Sequence, residues 1–133
     1  MAPTLYASGF SMADQQWFAA WSGDFNPVHL DPVASRRELT GDVVVHGVHG
    51  LLAVLEWYAT QLAARGVGAI AVGRIAGTFQ GPIYLGQPLE CRIARESSGA
   101  VRLDGTIGSR AVLRCSLEWS AASQRVHAVP PGA

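Results

Sequence analysis

The sequence predicts an α+β domain in which one long helix packs on the concave face of a curved antiparallel sheet. Three observations lead to this prediction. An apolar run near the middle of the 133-residue chain has the length and composition of a buried helix. The segments after it alternate apolar and polar residues with a period of two, as strands do. Short turns containing Gly and Ser separate the last three segments, which predicts an antiparallel meander.

The first part of the chain predicts a short strand at residues 5–10 and then a helix. Ser11 and Asp14 have the spacing of a capping box, so the helix begins at Met12. Gly23 is a natural stop. Apolar residues recur on one side of this helix at helical spacing: Ala13, Trp17, Phe18 and Trp21.

The next segment is a loop, because Pro27 lacks an N–H and moves Asn26 out of the helical region. A second short helix is predicted over residues 32–39. The long helix runs from about residue 47 to 65 and is closed by Gly66. It is apolar on nearly every side, so we expect it to be buried on most faces.

Four further strands complete the prediction. They cover residues 69–80, 89–93, 101–107 and 111–119, with a break at Gly81-Pro82. Residues 1–120 then form one domain, and we expect residues 121–133 to be a mobile tail.

Composition limits the possible functions. The 10 basic residues balance 10 acidic ones, and the arginines are spread from Arg36 to Arg125, which argues against a nucleic-acid partner. Only 15% of residues are charged, which suggests that some surface is buried against a partner chain. The apolar run at residues 50–64 is too short to cross a membrane, and no secretion signal is recognisable. We expect Cys91 and Cys115 to be reduced core residues of a cytoplasmic protein, with a disulfide between neighbouring strands as the alternative.

Acid–base chemistry is suggested by Asp24 and His29, five residues apart on the loop kinked by Pro27. Together they can converge on one water, because an imidazole exchanges protons near neutral pH and a carboxylate can orient the water or share the transfer. Gly47 at the start of the long helix adds unpaired N–H groups that can hold a negatively charged oxygen. Each residue alone also has a purely structural interpretation, as a turn cap, a core histidine or a packing glycine.

His46 and His49 form an HxxH pattern at the start of the same helix. A metal site built from them with Asp24 and His29 is an alternative that we do not favour. HxxH is a weak signal, and no glutamate follows in the spacing of zinc proteases. We therefore predict no metal.

The motif SGDFNPVHLD, followed by HG at the start of an apolar helix, resembles the MaoC-like family of (R)-specific enoyl-thioester hydratases. The resemblance extends over residues from about 10 to 120. It implies the hot-dog fold, a long central helix wrapped by a curved antiparallel sheet. It also implies that water adds across the C2–C3 double bond of a trans-2-enoyl thioester, or leaves in the reverse reaction.

By matching positions, the resemblance makes Asp24 and His29 the groups that activate the water and return a proton to C2. The N–H of Gly47 would hold the thioester oxygen, and Asn26 would fix the loop. The expected substrate-binding residues are Asn26, His46, His49 and Leu52. The family further implies a homodimer or higher homo-oligomer that needs no cofactor. The substrate itself would carry coenzyme A or the phosphopantetheine of an acyl carrier protein.

Two departures from the family pattern leave alternatives open. Leu52 stands where the family commonly has a serine, and His49 replaces a usual apolar residue. The loss of the serine at Leu52 motivates one alternative to a hydratase, a non-catalytic acyl-binding or assembly subunit. A hot-dog thioesterase is a further alternative, although the SGDFNPVHLD arrangement argues against it.

Overall fold

Helices precede most of the sheet along the chain. A computed structural model describes residues 4–6 and 9–122. The elements in chain order are β1 (Thr4–Tyr6), α1 (Met12–Ser22), a 3₁₀ turn (Pro27–His29), α2 (Pro32–Ser35), α3 (Gly47–Ala64), β2 (Ile70–Phe79), β3 (Leu89–Ser97), β4 (Ala100–Ile107) and β5 (Arg110–Ala121). The strands form one antiparallel sheet in the order β1-β3-β4-β5-β2.

One hydrophobic core joins α3 to this sheet. Along β4, Val101 and Leu103 are buried and alternate with half-exposed polar neighbours, as the period-two pattern predicts. The same core contains Val54 and Tyr58 of α3, neither of which has measurable exposure. The chain therefore has the predicted α+β architecture, a hot-dog domain with α3 as its central helix.

The long helix matches its prediction closely. It begins at Gly47 with His46 as N-cap and ends one residue before the predicted Arg65. Gly66 follows with a φ of +87°, the left-handed conformation that favours glycine. None of the helices in the described part of the chain has the length and apolar character needed to cross a membrane.

Helix α1 has the predicted ends but buries different residues. Ser11 and Asp14 form the capping box, and Gly23 accepts the left-handed φ of +79° that ends the helix. The buried residues are Gln15, Phe18 and Ala19. Of the apolar stripe, only Phe18 is buried. Trp17 and Trp21 are 62% and 67% exposed, because they lie beside the stripe that contacts the core.

Strand β2 lies at one edge of the sheet and is open to solvent. It pairs with β5, and its residues from Ala71 to Phe79 are all exposed. Three of its exposed side chains are large and apolar: Val72, Ile75 and Phe79. An exposed apolar edge strand is a surface that another chain can pair with.

Several other predictions need correction or limits. The first strand is described at Thr4–Tyr6, residues 9–10 of its predicted range are not strand, and residues 7–8 lie outside the described residues. The second helix stops at Ser35 rather than Leu39. Ala122 still donates a hydrogen bond from its N–H to the carbonyl of Ala69, and the predicted tail from residue 123 onward lies outside the described residues.

The two cysteines are free and buried, as expected. They lie on β3 and β5, which β4 separates, so the alternative of a disulfide between neighbouring strands is wrong. Burial raises the pKa of the Cys91 thiol to about 12.

Candidate active site

The loop after α1 is fixed by hydrogen bonds from its own side chains. The carboxylate of Asp24 accepts a bond from the Asn26 N–H at 3.1 Å, and the Asn26 amide oxygen accepts one from the Val28 N–H at 3.1 Å. Pro27 then begins the 3₁₀ turn, with its φ already suited to it. Asn26 therefore uses its side-chain oxygen to shape the loop, and the loop presents Asp24 and His29 in one orientation.

The side chains of Asp24 and His29 face each other. His29 Nε2 lies 3.7 Å from Asp24 Oδ2. His29 Nδ1 lies 2.8 Å from the carbonyl of Val44, and since a carbonyl only accepts, Nδ1 must be the protonated nitrogen. The ring therefore directs its other nitrogen, Nε2, towards the carboxylate. A separation of 3.7 Å is too long for a direct hydrogen bond, but one water can contact both groups.

His46 ties the loop to the start of α3. Its ring is 2% exposed and stacks on the ring of His29 with the centroids 4.0 Å apart. Its Nε2 donates to the backbone carbonyl of Asp24 at 3.0 Å. Burial lowers the pKa of His46, and the hydrogen bond to the Asp24 carbonyl opposes this effect. His46 is thus neutral near pH 7 and holds the loop against the helix.

Gln15 braces the same region from α1. Its side-chain amide donates to the carbonyl of His29 at 3.0 Å and to that of Val44 at 2.7 Å. The Val44 carbonyl therefore accepts from both Gln15 and His29. Gln15 is not among the predicted site residues, although a glutamine beside an apolar residue such as Phe18 on a short helix can indicate a buried polar contact.

Gly47 is the first residue of α3, and the His46 side chain makes no capping hydrogen bond there. The N–H of Gly47 therefore remains available to a ligand, whereas the His49 N–H already donates to the His46 carbonyl at 2.9 Å. Gly47 borders two cavities. One, of about 220 Å³, also contains Asp24 and His46, and the other, of about 350 Å³, contains Phe79. A Cβ on Gly47 would lie 3.0 Å from the Phe79 ring.

Asp24, His29 and His46 bring three potential metal-ligand atoms within 4.8 Å of one another. Of the two histidines in the HxxH pattern, only His46 belongs to this cluster. His49 lies on α3 one turn further along, where its ring stacks on Phe18 at 4.6 Å with an interplanar angle of 7°. In the cluster, hydrogen bonds to the Val44 and Asp24 carbonyls already engage one ring nitrogen of each histidine.

The structure thus brings four of the predicted residues together at one point: Asp24, His29, His46 and Gly47. Asn26 shapes their loop. His49 and Leu52 lie apart from them, in a neighbouring cavity of about 280 Å³ that Trp17 and Trp21 also line. Periodicity places both tryptophans on one side of α1, but it does not show which face of a helix is open. Their position at a cavity could therefore not be predicted from the sequence.

An acid, a base and an open helix N-terminus can together move a proton and hold a negatively charged oxygen. The model of the MaoC-like domain matches residues 5–112 of this chain. The chain therefore belongs to the MaoC-like domain family, as the sequence motif predicted. Among curated protein sequences no relative matches it.

Solved structures with the same fold include hydratases. The (R)-hydratase from A. caviae involved in PHA biosynthesis is 21% identical, with a TM-score of 0.65 over 86% of this chain and 89% of that one. R-Hydratase PhaJ1 from Pseudomonas aeruginosa is 24% identical, with a TM-score of 0.68 over 93% and 81%. The ChsH1-ChsH2 complex from Mycobacterium tuberculosis is 10% identical, with a TM-score of 0.65 over 90% and 85%. At these identities the similarity shows the fold.

Proposed function

We propose that this protein catalyses the (R)-specific hydration of trans-2-enoyl thioesters to 3-hydroxyacyl thioesters, or the reverse dehydration. Its membership of the MaoC-like family supports a hydratase or dehydratase in general. The observation that carries the specific proposal is the Asp24–His29 pair, 3.7 Å apart, in the same region as the open N-terminus of α3.

The chemistry follows from the geometry of these groups. A water between Asp24 and His29 gives a proton to His29 Nε2 while its oxygen bonds to C3 of the enoyl group. The electron pair of the double bond moves toward the thioester carbonyl, and the N–H of Gly47 holds the resulting negative oxygen. The proton then passes from the Asp24–His29 pair to C2. Water is added with all atoms accounted for, and no redox step occurs.

The proposal also covers the acyl carrier, the compartment and the oligomeric state of the enzyme. The acyl group arrives on coenzyme A or on an acyl carrier protein, and the reaction needs no further cofactor. We propose a cytoplasmic enzyme, since two free buried thiols suit a reducing compartment. We also propose a homodimer that pairs through the exposed edge of β2.

The test of the activity is absorbance of the enoyl-thioester band after mixing with crotonyl-CoA, with chiral analysis of the product. We expect the band to disappear and (R)-3-hydroxybutyryl-CoA to form. Asp24→Asn and His29→Gln should each keep the fold and lower kcat by about 100- to 10,000-fold, the usual contribution of acid–base catalysis. Full turnover in both variants would contradict the assigned roles.

The same assay separates the alternatives. A thioesterase would release free thiol, which a thiol reagent detects, without forming the hydroxyacyl thioester. A non-catalytic subunit would bind without turnover. The non-catalytic alternative rests on Leu52 in place of the family's serine. Leu52, however, lines the neighbouring cavity and not the one that contains Asp24 and His46. The substitution therefore removes no group from the proposed catalytic cluster, which supports an active enzyme.

The dimer has its own test. Ile75→Arg would place a charge in the exposed face of β2, where burial against a second chain leaves it unpaired. We expect the wild-type chain to sediment as a dimer and this variant as a monomer. Arg74→Ala, at the adjacent exposed position, is the matched control because it removes a charge from the same strand and should leave the dimer intact. A wild-type monomer would contradict the proposal.

A further inference from the structure

An aromatic groove runs from the proposed catalytic cluster along the outside of the domain, between α1 and α3. It consists of two cavities that share Phe18 and Trp21. The inner one, of about 220 Å³, contains Asp24 and Gly47, and the outer one, of about 280 Å³, contains Trp17, His49 and Leu52. The two cavities adjoin, because the same two aromatic residues line both, and a ligand that reacts at Asp24 would pass Phe18 and Trp21 to reach Trp17.

The walls of this groove are flat and apolar. The rings of Trp17 and Trp21 are parallel to within 4° with centroids 6.3 Å apart, although both side chains are more than 60% exposed. The floor is the stacked pair of Phe18 and His49. Two exposed tryptophans beside an apolar floor are unusual for a protein surface, and planar apolar ligands are what such rings bind best.

Charge distinguishes the two sides of the catalytic cluster. Among the described residues that line the groove, the charged ones are Asp24 and Glu56, both acidic. The phosphates of coenzyme A or phosphopantetheine would be repelled there. Arg110 lies on the opposite side, where it donates to the carbonyl of Pro82 at 2.7 Å at the border of the cavity that contains Phe79. This distribution of charge favours the carrier on the Phe79 side and the acyl group in the aromatic groove.

We propose that the α1–α3 groove is the acyl site and that it selects thioesters whose acyl group carries a planar ring over those with a short linear chain. The inference rests on the proposed function, since it takes the thioester to be the ligand. A short chain ends in the inner cavity, whereas a ring reaches Trp17 and Trp21. Leu52, in place of the family's serine, adds apolar surface to the outer cavity where the ring would lie.

The test uses saturated ligands, which cannot be hydrated, so that binding is measured apart from turnover. Calorimetric titration of the full chain compares 3-phenylpropanoyl-CoA with butanoyl-CoA. We expect the phenyl ligand to bind about tenfold more tightly, from the apolar area that the ring buries. In Trp17→Ala and in Trp21→Ala this ratio should fall close to one. Both side chains are largely exposed, so the variants should fold, which circular dichroism checks.

Two control variants make the result specific. Leu39→Ala removes an exposed apolar side chain outside the groove and should leave the ratio unchanged. Phe79→Ala tests the cavity on the other side of Gly47. Equal affinities in the wild type, no measurable binding of either ligand, or a ratio that depends on Phe79 rather than on the tryptophans would overturn the inference. If the protein hydrates crotonyl-CoA but binds both saturated ligands with equal affinity, the proposed function stands and the acyl selectivity is wrong. If it binds the phenyl ligand selectively but hydrates no enoyl thioester, the acyl selectivity stands and the proposed function is wrong.

Discussion

Gly47→Ala separates two roles that the structure allows for this glycine, close packing and access to the backbone. The added Cβ would lie 3.0, 3.1 and 3.2 Å from three atoms of the Phe79 ring, a few tenths of an ångström inside ordinary contact. The ring is 54% exposed, so it can move away. Alanine also favours the helix by up to about 1 kcal/mol relative to glycine. These effects oppose each other, so we expect the free energy of unfolding to change by less than about 1 kcal/mol.

Turnover should change far more than stability. The new methyl group and the displaced Phe79 ring would occupy the space through which a thioester oxygen approaches the Gly47 N–H. Loss of such a donor usually lowers kcat by about 100- to 1,000-fold. The assay is kcat on crotonyl-CoA beside urea denaturation of the same samples.

The double variant Gly47→Ala/Phe79→Leu is the control for packing. A smaller side chain at position 79 should relieve the contact and recover any lost stability, but turnover should stay low, since the methyl group still covers the N–H. Full activity of Gly47→Ala, or full recovery in the double variant, would refute the reasoning and leave the glycine a packing role alone.

Two further predictions concern stability. Tyr58→Phe removes the hydrogen bond that the buried hydroxyl donates to Glu96 at 2.5 Å, while Arg65 still pairs with that carboxylate at 2.8 Å. We expect a loss of about 2 kcal/mol at neutral pH and a melting temperature lower by about 7 °C. Because the bond from Tyr58 is the main cause of the lowered pKa of Glu96, the difference should shrink as the pH falls below 4.5. An unchanged difference in acid would contradict this account. Burial lowers the pKa of His46 and His49 in the folded chain. Below pH 6.5 the unfolded chain therefore binds more protons than the folded chain, and the free energy of unfolding should decrease as the pH is lowered. His49→Phe should flatten this decline in urea denaturation across that range, and an equally steep decline would count against it.

Local patterns explain why the elements of the fold could be predicted. The period of two in β4 and the apolar run of α3 are properties of neighbouring residues, and the structure confirms both. The capping box at Ser11 and the left-handed Gly23 are likewise local. The proximity of Asp24 and His29 could be anticipated for the same reason, because only four residues separate them along the chain.

Contacts between distant segments could not be predicted in this way. The bond from His46 to the Asp24 carbonyl spans 22 residues, and that from Gln15 to the Val44 carbonyl spans 29. Sequence periodicity carries no information on contacts between residues so far apart along the chain. The exposure of Trp17 has the same origin. A helical wheel places it beside Phe18, but only the packing of α1 against its neighbours decides which of the two is covered.

A backbone carbonyl, rather than another side chain, sets the tautomer of the proposed catalytic histidine. The Val44 carbonyl accepts from His29 Nδ1, so in the neutral ring Nε2 is the unprotonated nitrogen and faces Asp24. Gln15 holds that carbonyl in place, and His46 holds the carbonyl of Asp24. A carbonyl cannot become a donor at any pH, so the tautomer of neutral His29 is fixed wherever this backbone is in place. The proposed base is thus prepared by the position of Val44, just before α3, and the same short connection also places the Gly47 N–H. One segment of backbone therefore aligns the proton acceptor and the oxyanion donor that hydration requires.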